Sequence, residues 1–270
     1  LLKEAISLIQ IENKRFNEIP TLCLHKIQTE AASTRHPFVI MLHGLTNQKE
    51  DNLTYAYLLA EKGFYVFLPD ALHHGDRKNG ISYNEQSFKL WETILHSIHE
   101  LDKLKEDITK DLNIDPSRIY LGGISMGAIT TFGALTQYDW IKGAFCMMGD
   151  PAFVNQSRRI YFSLEDGEKS KIEPLELYEQ KLAPYDLSLK PDKLNGRPLF
   201  VWHGDADTTV PISSVQNFVE QYRIAGYPGE ITMKVQKGRG HKVSNFGYHA
   251  MIEWLCLQEN NFIHSPKTHK

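Results

Sequence analysis

Residues 118–135 read Arg118-Ile119-Tyr120-Leu121-Gly122-Gly123-Ile124-Ser125-Met126-Gly127-Ala128-Ile129-Thr130-Thr131-Phe132-Gly133-Ala134-Leu135. The first five are apolar and rich in β-formers, and the part from Ala128 onward reads as the opening turns of a buried helix. Between them, Gly123-Ile124-Ser125-Met126-Gly127 has the form G-x-S-x-G. A serine between two glycines on a tight strand-to-helix turn is held out at the top of a sheet. The glycines are needed because a Cβ there would clash with the neighbouring strand or helix. The helix that follows points its free N–H groups at any oxyanion formed beside the serine. About one chain in ten of this length carries the pentapeptide by chance, so its surroundings carry the assignment.

Outward from this turn the chain alternates strands and helices. Period-2 patterns around residues 6–11 and 20–24 predict an opening antiparallel pair. An apolar strand from Phe38 to Leu42 ends at His43-Gly44. A helix is expected over 53–62, then a strand from Phe64 to Leu68 ending at Pro69-Asp70. A loop rich in Gly, His and Asp leads into a long helical stretch over 83–112. There Phe88, Trp91, Ile94, Leu95, Ile98, Leu101 and Leu104 recur at three and four, one face of a helix. Beyond the serine turn come a buried strand over 143–148, a polar stretch with scattered aromatics over 151–194, and a strand over 198–203. A helix over 211–225, a strand over 230–235 and a helix over 246–257 follow. Apolar strands separated by helices imply an α/β protein with a mostly parallel sheet, helices on both faces. The whole chain, 1–270, reads as one domain. The segment 151–194 is too long for an ordinary connection and is expected to form a short cap insertion over the strand ends.

Composition narrows the partners. The chain has 270 residues, 41% hydrophobic and 23% charged, with a net charge of −3. That balance gives no reason to expect nucleic acid or an anionic membrane as a partner. Its longest apolar runs are strand-length, far short of a membrane span. Three cysteines, Cys23, Cys146 and Cys256, are odd in number and set in apolar runs. They suggest buried, reduced thiols and a cytoplasmic protein. No signal peptide is visible, although the chain begins with Leu1 rather than Met. Residues 265–270 read as a polar, frayed tail.

Two further signals fall at strand ends, where ligands bind in open α/β sheets. Gly204-Asp205-Ala206-Asp207-Thr208-Thr209-Val210-Pro211 follows one strand, and Gly238-Arg239-Gly240-His241 follows the last. The order Ser125, Asp207, His241 suits a nucleophile, its orienting acid and its base. Asp205 and Asp150 compete with Asp207 for the acid role. Asp205 fits turn chemistry, and Asp150 follows the strand after the serine turn. The N–H groups of Leu45, after His43-Gly44, and of Met126 are the candidate oxyanion donors. His73, His74 and Asp76 lack a third partner at ligand spacing, so no metal is expected and the loop is read as stiffening the pocket edge. Phe153 and Phe162 are the candidate aromatic wall of an acyl pocket.

Three stretches complete a family pattern. They are Leu42-His43-Gly44-Leu45-Thr46, Pro69-Asp70-Ala71-Leu72-His73-His74-Gly75 and His203-Gly204-Asp205-Ala206-Asp207-Thr208-Thr209-Val210-Pro211. With the serine turn they resemble the α/β-hydrolase superfamily over nearly the whole chain. Within it they resemble small bacterial serine carboxylesterases related to the prolyl-oligopeptidase catalytic domain. The resemblance implies an α/β-hydrolase fold and cleavage of small or short-chain carboxylic esters, with Ser125 as nucleophile, His241 as base and Asp207 as orienting acid. It implies no cofactor and a small-molecule ester as the substrate partner, and leaves the oligomeric state open. Dienelactone hydrolases share the fold but carry cysteine where Ser125 stands, and 270 residues leave no room for the propeller domain of the related peptidases. An acyl-thioesterase or acyl transferase would use the same three residues, and a non-catalytic ligand receptor could share the fold.

Overall fold

The computed structural model describes residues 8–27, 35–111 and 114–264. Eight strands form one sheet: β1 (Ile9–Phe16), β2 (Ile19–Lys26), β3 (His36–Leu42), β4 (Tyr65–Pro69), β5 (Ile114–Ile124), β6 (Gly143–Met147), β7 (Leu199–Gly204) and β8 (Ile231–Gln236). Their spatial order is β1-β2-β4-β3-β5-β6-β7-β8. The pairs β1–β2 and β2–β4 are antiparallel and all others are parallel. The predicted opening pair is the β1–β2 hairpin. Its two-residue turn, Asn17-Glu18, has φ of 47° and 63°, the left-handed conformation that matches strand twist in tight hairpins. Ile6 and Ser7 of that prediction lie outside the described residues, as does the tail 265–270.

The central strands show why their sequences are continuously apolar. In β3, Phe38, Ile40 and Leu42 enter one core while Val39 and Met41 enter the other. Leu199 and Val201 of β7 likewise face one side, and Phe200 and Trp202 the other. Successive strand side chains point to opposite faces, and here both faces are covered, so neither set is polar. On one face lie α3 (Leu90–Asp111), α4 (Met126–Leu135) and α8 (Ile212–Ile224); on the other lie α1 (Leu53–Glu61) and α9 (Asn245–His264).

Two boundaries differ from the sequence expectation. The stretch 83–112 breaks at Lys89 into α2 (Tyr83–Phe88) and α3. A capping box starts α2, with the Ser82 hydroxyl accepting from the Glu85 amide and the Glu85 carboxylate accepting from the Ser82 amide. Only Gln86 of α2 is buried, whereas Trp91, Ile94, Ile98, Leu101 and Leu104 of α3 are. The apolar spacing thus belongs to α3; Leu112 lies outside the described residues. The last helix runs beyond the predicted 257 to His264. One anchor of that extension is Glu259, which accepts from the Tyr120 hydroxyl at 2.7 Å and from Arg118 Nη1 at 2.9 Å. The segment 151–194 contains α5 (Phe153–Ser163), α6 (Asp166–Lys169) and α7 (Leu175–Leu182). Arg158 on α5 is held by both carboxylate oxygens of Glu179 on α7.

Candidate active site

Ser125 sits between β5 and α4 with φ at 53° and ψ at −113°, a conformation that a residue with a side chain occupies at a cost. Its amide bonds Met147 O on the adjacent β6 at 2.8 Å, and its carbonyl accepts the first α4 bond from Ile129 at 2.9 Å. The flanking glycines let this turn press on β3. A Cβ on Gly123 would lie 2.6 Å from Leu42 O, and one on Gly127 would lie 2.4 Å from the same oxygen. Any side chain at either position would push the serine turn away from β3, the strand that leads into the Leu45 loop.

The structure joins the three residues read as a triad. Ser125 Oγ lies 2.8 Å from His241 Nε2, and His241 Nδ1 lies 2.6 Å from Asp207 Oδ2. His241 is presented by the loop between β8 and α9, in which Gly238 has φ of 68°. Asp207 is buried, and its other oxygen accepts from the Thr209 and Val210 amides at 2.9 Å each. Those two bonds fix the carboxylate so that Oδ2 faces the imidazole. Asp205 caps the neighbouring turn instead, accepting from the Gly238 amide at 2.6 Å. Asp150 is turned elsewhere, accepting from Ser214 Oγ at 2.6 Å and the Ala152 amide at 2.9 Å. Burial pushes the Asp150 carboxyl above its ordinary pKa.

The residues carrying the two candidate oxyanion amides lie beside the serine. Met126 is the first residue of α4, where helix N–H groups have no intrahelical acceptor. Leu45 lines the same cleft as Ser125. A buried network holds its loop. His43 Nδ1 donates to Gly44 O at 2.8 Å while its Nε2 accepts from the Ala71 amide at 3.0 Å. Reciprocally, His74 Nδ1 donates to Leu72 O at 2.8 Å and its Nε2 accepts from the Thr46 amide at 3.2 Å. Each histidine must be neutral to do both. Burial pushes His43 down to about 4 and lowers His74 as well, which keeps both in that form at neutral pH.

Lys49 clamps the same two loops. Its side chain is 1% exposed and its Nζ lies 2.9 Å from Asp70 Oδ2, whose side chain is 0% exposed. Asp76 and Glu50 complete the shell at 2.8 and 3.1 Å. Burial alone would push the ammonium down, but the bonds to Asp76, Asp70 and Glu50 outweigh it and raise the Lys49 pKa. Asp70 also accepts from the Lys49 and Asp76 amides at 2.9 and 3.0 Å. Removing one member of a buried pair strands the other charge. Lys49→Met is therefore expected to destabilise the protein by about 3 kcal/mol, and to lower kcat on any acyl substrate more than it raises KM. Urea unfolding and steady-state kinetics check this; a stable, fully active variant would show that the clamp positions nothing.

The cleft around Ser125 has a volume of about 370 Å³. Gly44, Leu45, Ile124, Met148, Val243 and Tyr248 line it, together with a polar edge at Asn47, Asp51, Asn52, Tyr55 and Lys242. Two residues expected there are elsewhere. Phe153 is 0% exposed, packed against Trp91 and beneath Gly133; it belongs to the core because α5 lays its N-terminal turn on α3 and α4. Phe162 is 73% exposed at the other end of α5. Neither lines the Ser125 cleft. A larger crevice of about 610 Å³, where Phe88, Trp91 and Tyr178 meet between α3 and α7, contains none of the three triad residues. Among the described residues no group of three or more His, Cys, Asp or Glu is placed to hold a metal ion. None of the described helices is long and apolar enough to cross a membrane. Cys23 and Cys146 are buried free thiols and Cys256 is half-buried; burial pushes Cys23 up to about 12, so it is inert as a nucleophile.

Comparison with known proteins agrees with this architecture. YitV of Bacillus subtilis (strain 168), described as a candidate esterase, is 39% identical over 92% of this chain and 98% of its own length. Esterase YjfP of Escherichia coli (strain K12) is 27% identical over 88% of this chain and 94% of its own. The crystal structure of TT1662 from Thermus thermophilus superposes with a TM-score of 0.71 at 20% identity, covering 93% of this chain and 98% of that one. Pyrococcus horikoshii acylaminoacyl peptidase gives 0.71 at 18% identity, covering 100% of this chain and 44% of the peptidase. The fold is that of the α/β-hydrolases. The family model of the prolyl oligopeptidases matches residues 51–258, which include Ser125, Asp207 and His241, and the chain belongs to the prolyl oligopeptidase family.

Proposed function

We propose that the protein is a serine hydrolase that cleaves carboxylic esters of small or short-chain acyl groups through an acyl-enzyme on Ser125. The observation that carries this is the unbroken path from Ser125 Oγ through both ring nitrogens of His241 to a buried, amide-held Asp207. His241 removes the serine proton as Oγ attacks the acyl carbon. Asp207 keeps the proton of the resting imidazole on Nδ1 and stabilises the imidazolium. The amides of Leu45 and Met126 receive the oxyanion, a contribution whose loss costs about 10²–10³ in rate. His241 then protonates the leaving alkoxide, and water repeats the sequence on the acyl-enzyme. No step calls for a cofactor.

The names of YitV and YjfP support an ester as the substrate. The size of the cleft supports a short acyl group: about 370 Å³ is near the small end of the roughly 300–1,000 Å³ that small-molecule sites span. The expected result with p-nitrophenyl esters from acetyl to palmitoyl is a kcat/KM maximum between acetyl and butyryl. A maximum at octanoyl or beyond would reject the short acyl site. Faster turnover of butyryl-CoA than of butyryl esters would move the assignment to a thioesterase.

A further inference from the structure

Tyr248 lies in the first turn of α9, the helix that follows the His241 loop, and lines the same cleft as Ser125. The residue is 8% exposed. Its ring is stacked on that of Tyr55 from α1, 10° from parallel, and its amide bonds Ser244 O at 3.1 Å. The two phenols are used differently. Tyr55 donates its hydroxyl proton to Asn245 Oδ1 at 3.3 Å. The Tyr248 hydroxyl has no hydrogen-bond partner among the described residues, yet it is not one of the polar atoms closed off from water. The cavity this residue lines is the Ser125 cleft, so the open side of the phenol is the side on which a substrate arrives.

Water satisfies that O–H while the cleft is empty. A bound ester changes this. The cleft holds about 370 Å³, and Leu45, Ile124, Met148 and Val243 give it apolar walls. A substrate that fills it displaces water, and a buried donor then left without an acceptor is costly. Asn47, Asp51 and Lys242 line the cleft too, but they are exposed and keep their water. Tyr55 keeps its bond to Asn245. Tyr248 is buried and has only what the substrate brings. Burial and the neighbouring Tyr55 phenol also push its pKa up. It therefore stays protonated at neutral pH, which makes it a donor and leaves His241 as the base. An ester group offers acceptor oxygens and no donor, the complement of a phenol O–H.

We propose that Tyr248 is a substrate-binding residue, its hydroxyl donating to an oxygen of the bound ester and so adding a polar contact to those of the Leu45 and Met126 amides. This rests on the ester hydrolysis proposed above and names a further residue that recognises the ester.

The test is Tyr248→Phe, which removes the oxygen and keeps the ring on Tyr55. On p-nitrophenyl acetate the variant should show kcat/KM lowered about five- to tenfold, the size of one hydrogen bond lost to a substrate. The change should lie in KM, because the contact is already made in the bound ester. The same factor should appear with ethyl acetate, which has no nitro group to accept in place of the ester oxygens. The thermal midpoint should not fall, since the hydroxyl has no partner in the protein. Four results overturn the assignment of Tyr248 and leave Ser125 standing as nucleophile: a kcat/KM within about twofold of the wild type, a loss confined to the nitrophenyl ester, a loss carried by kcat at unchanged KM, or a loss that tracks a lowered thermal midpoint. If the wild type hydrolyses neither ester, the hydrolase reading falls and the role of Tyr248 falls with it.

Discussion

Ser125→Ala is expected to lower turnover of p-nitrophenyl esters by about 10⁵–10⁶-fold while leaving the protein folded. Removal of the nucleophile of an acyl-transfer triad has an effect of this size, because the remaining groups act only through it. The fold should survive for a local reason. The Oγ lost is bonded to His241 Nε2, and both serine and alanine carry a Cβ, so the positive φ of 53° is no more strained in the variant. The amide bond to Met147 O and the carbonyl bond from Ile129 are backbone bonds and stay. A fluorophosphonate probe should label the wild type at Ser125, read by peptide mass spectrometry, and leave the alanine variant unlabelled. Labelling at another serine, or an alanine variant with wild-type turnover, would remove Ser125 as the nucleophile. The thermal midpoint distinguishes this loss from unfolding.

The elements nearest this serine were the most legible in the sequence, for a reason that can be stated. Gly123, Gly127, Asp207 and His241 lie at strand ends, where sharp turns demand glycine and the strand before them is a continuous apolar run. Local sequence therefore carries their placement. Lys49 shows the opposite case. In the sequence it stands among Gln48, Glu50 and Asp51 and reads as surface. Its burial depends on Asp70, 21 residues further on, and on the β3–β4 pairing that brings the two loops together. Nothing local marks such a pair. Phe153 was misplaced by the same logic. An aromatic at the start of a long insertion fits a pocket wall as well as a core, and the register of α5 on Trp91 and Gly133 decides for the core. The apolar period over 83–112 runs through the single-residue break at Lys89, which periodicity alone does not register.

Asp207→Asn is expected to lower kcat by about 10⁴-fold, and Asp150→Asn to change it by less than about threefold. The first figure is the usual cost of losing the orienting carboxylate of a triad, and the Asp207 hydrogen bonds explain how the loss arises here. Oδ1 accepts from two amides, Thr209 and Val210. An asparagine at this position must keep its carbonyl oxygen on those amides, since its NH₂ would meet two donors. Its Nδ2 is then forced onto the position now held by Oδ2, facing His241 Nδ1 at 2.6 Å. That NH₂ can only donate, so His241 Nδ1 must accept, and the ring proton moves to Nε2. The imidazole then presents N–H to Ser125 Oγ, where it has to present a lone pair, and the serine cannot give up its proton. His203 does not rescue the site. Its Nε2 is engaged with Val210 O at 2.8 Å and lies 3.4 Å from Asp207 Oδ2, while burial lowers its pKa and keeps it neutral. Asp150 stands two residues beyond Met148 of the cleft wall, but its Oδ1 is held by Ser214 and Ala152. Amidation there should show in the unfolding midpoint and leave the tautomer of His241 as it is. Steady-state kinetics on p-nitrophenyl acetate with both variants separates the two carboxylates. A larger loss of kcat in Asp150→Asn than in Asp207→Asn would place the orienting acid in the loop after β6 and contradict the hydrogen-bond path.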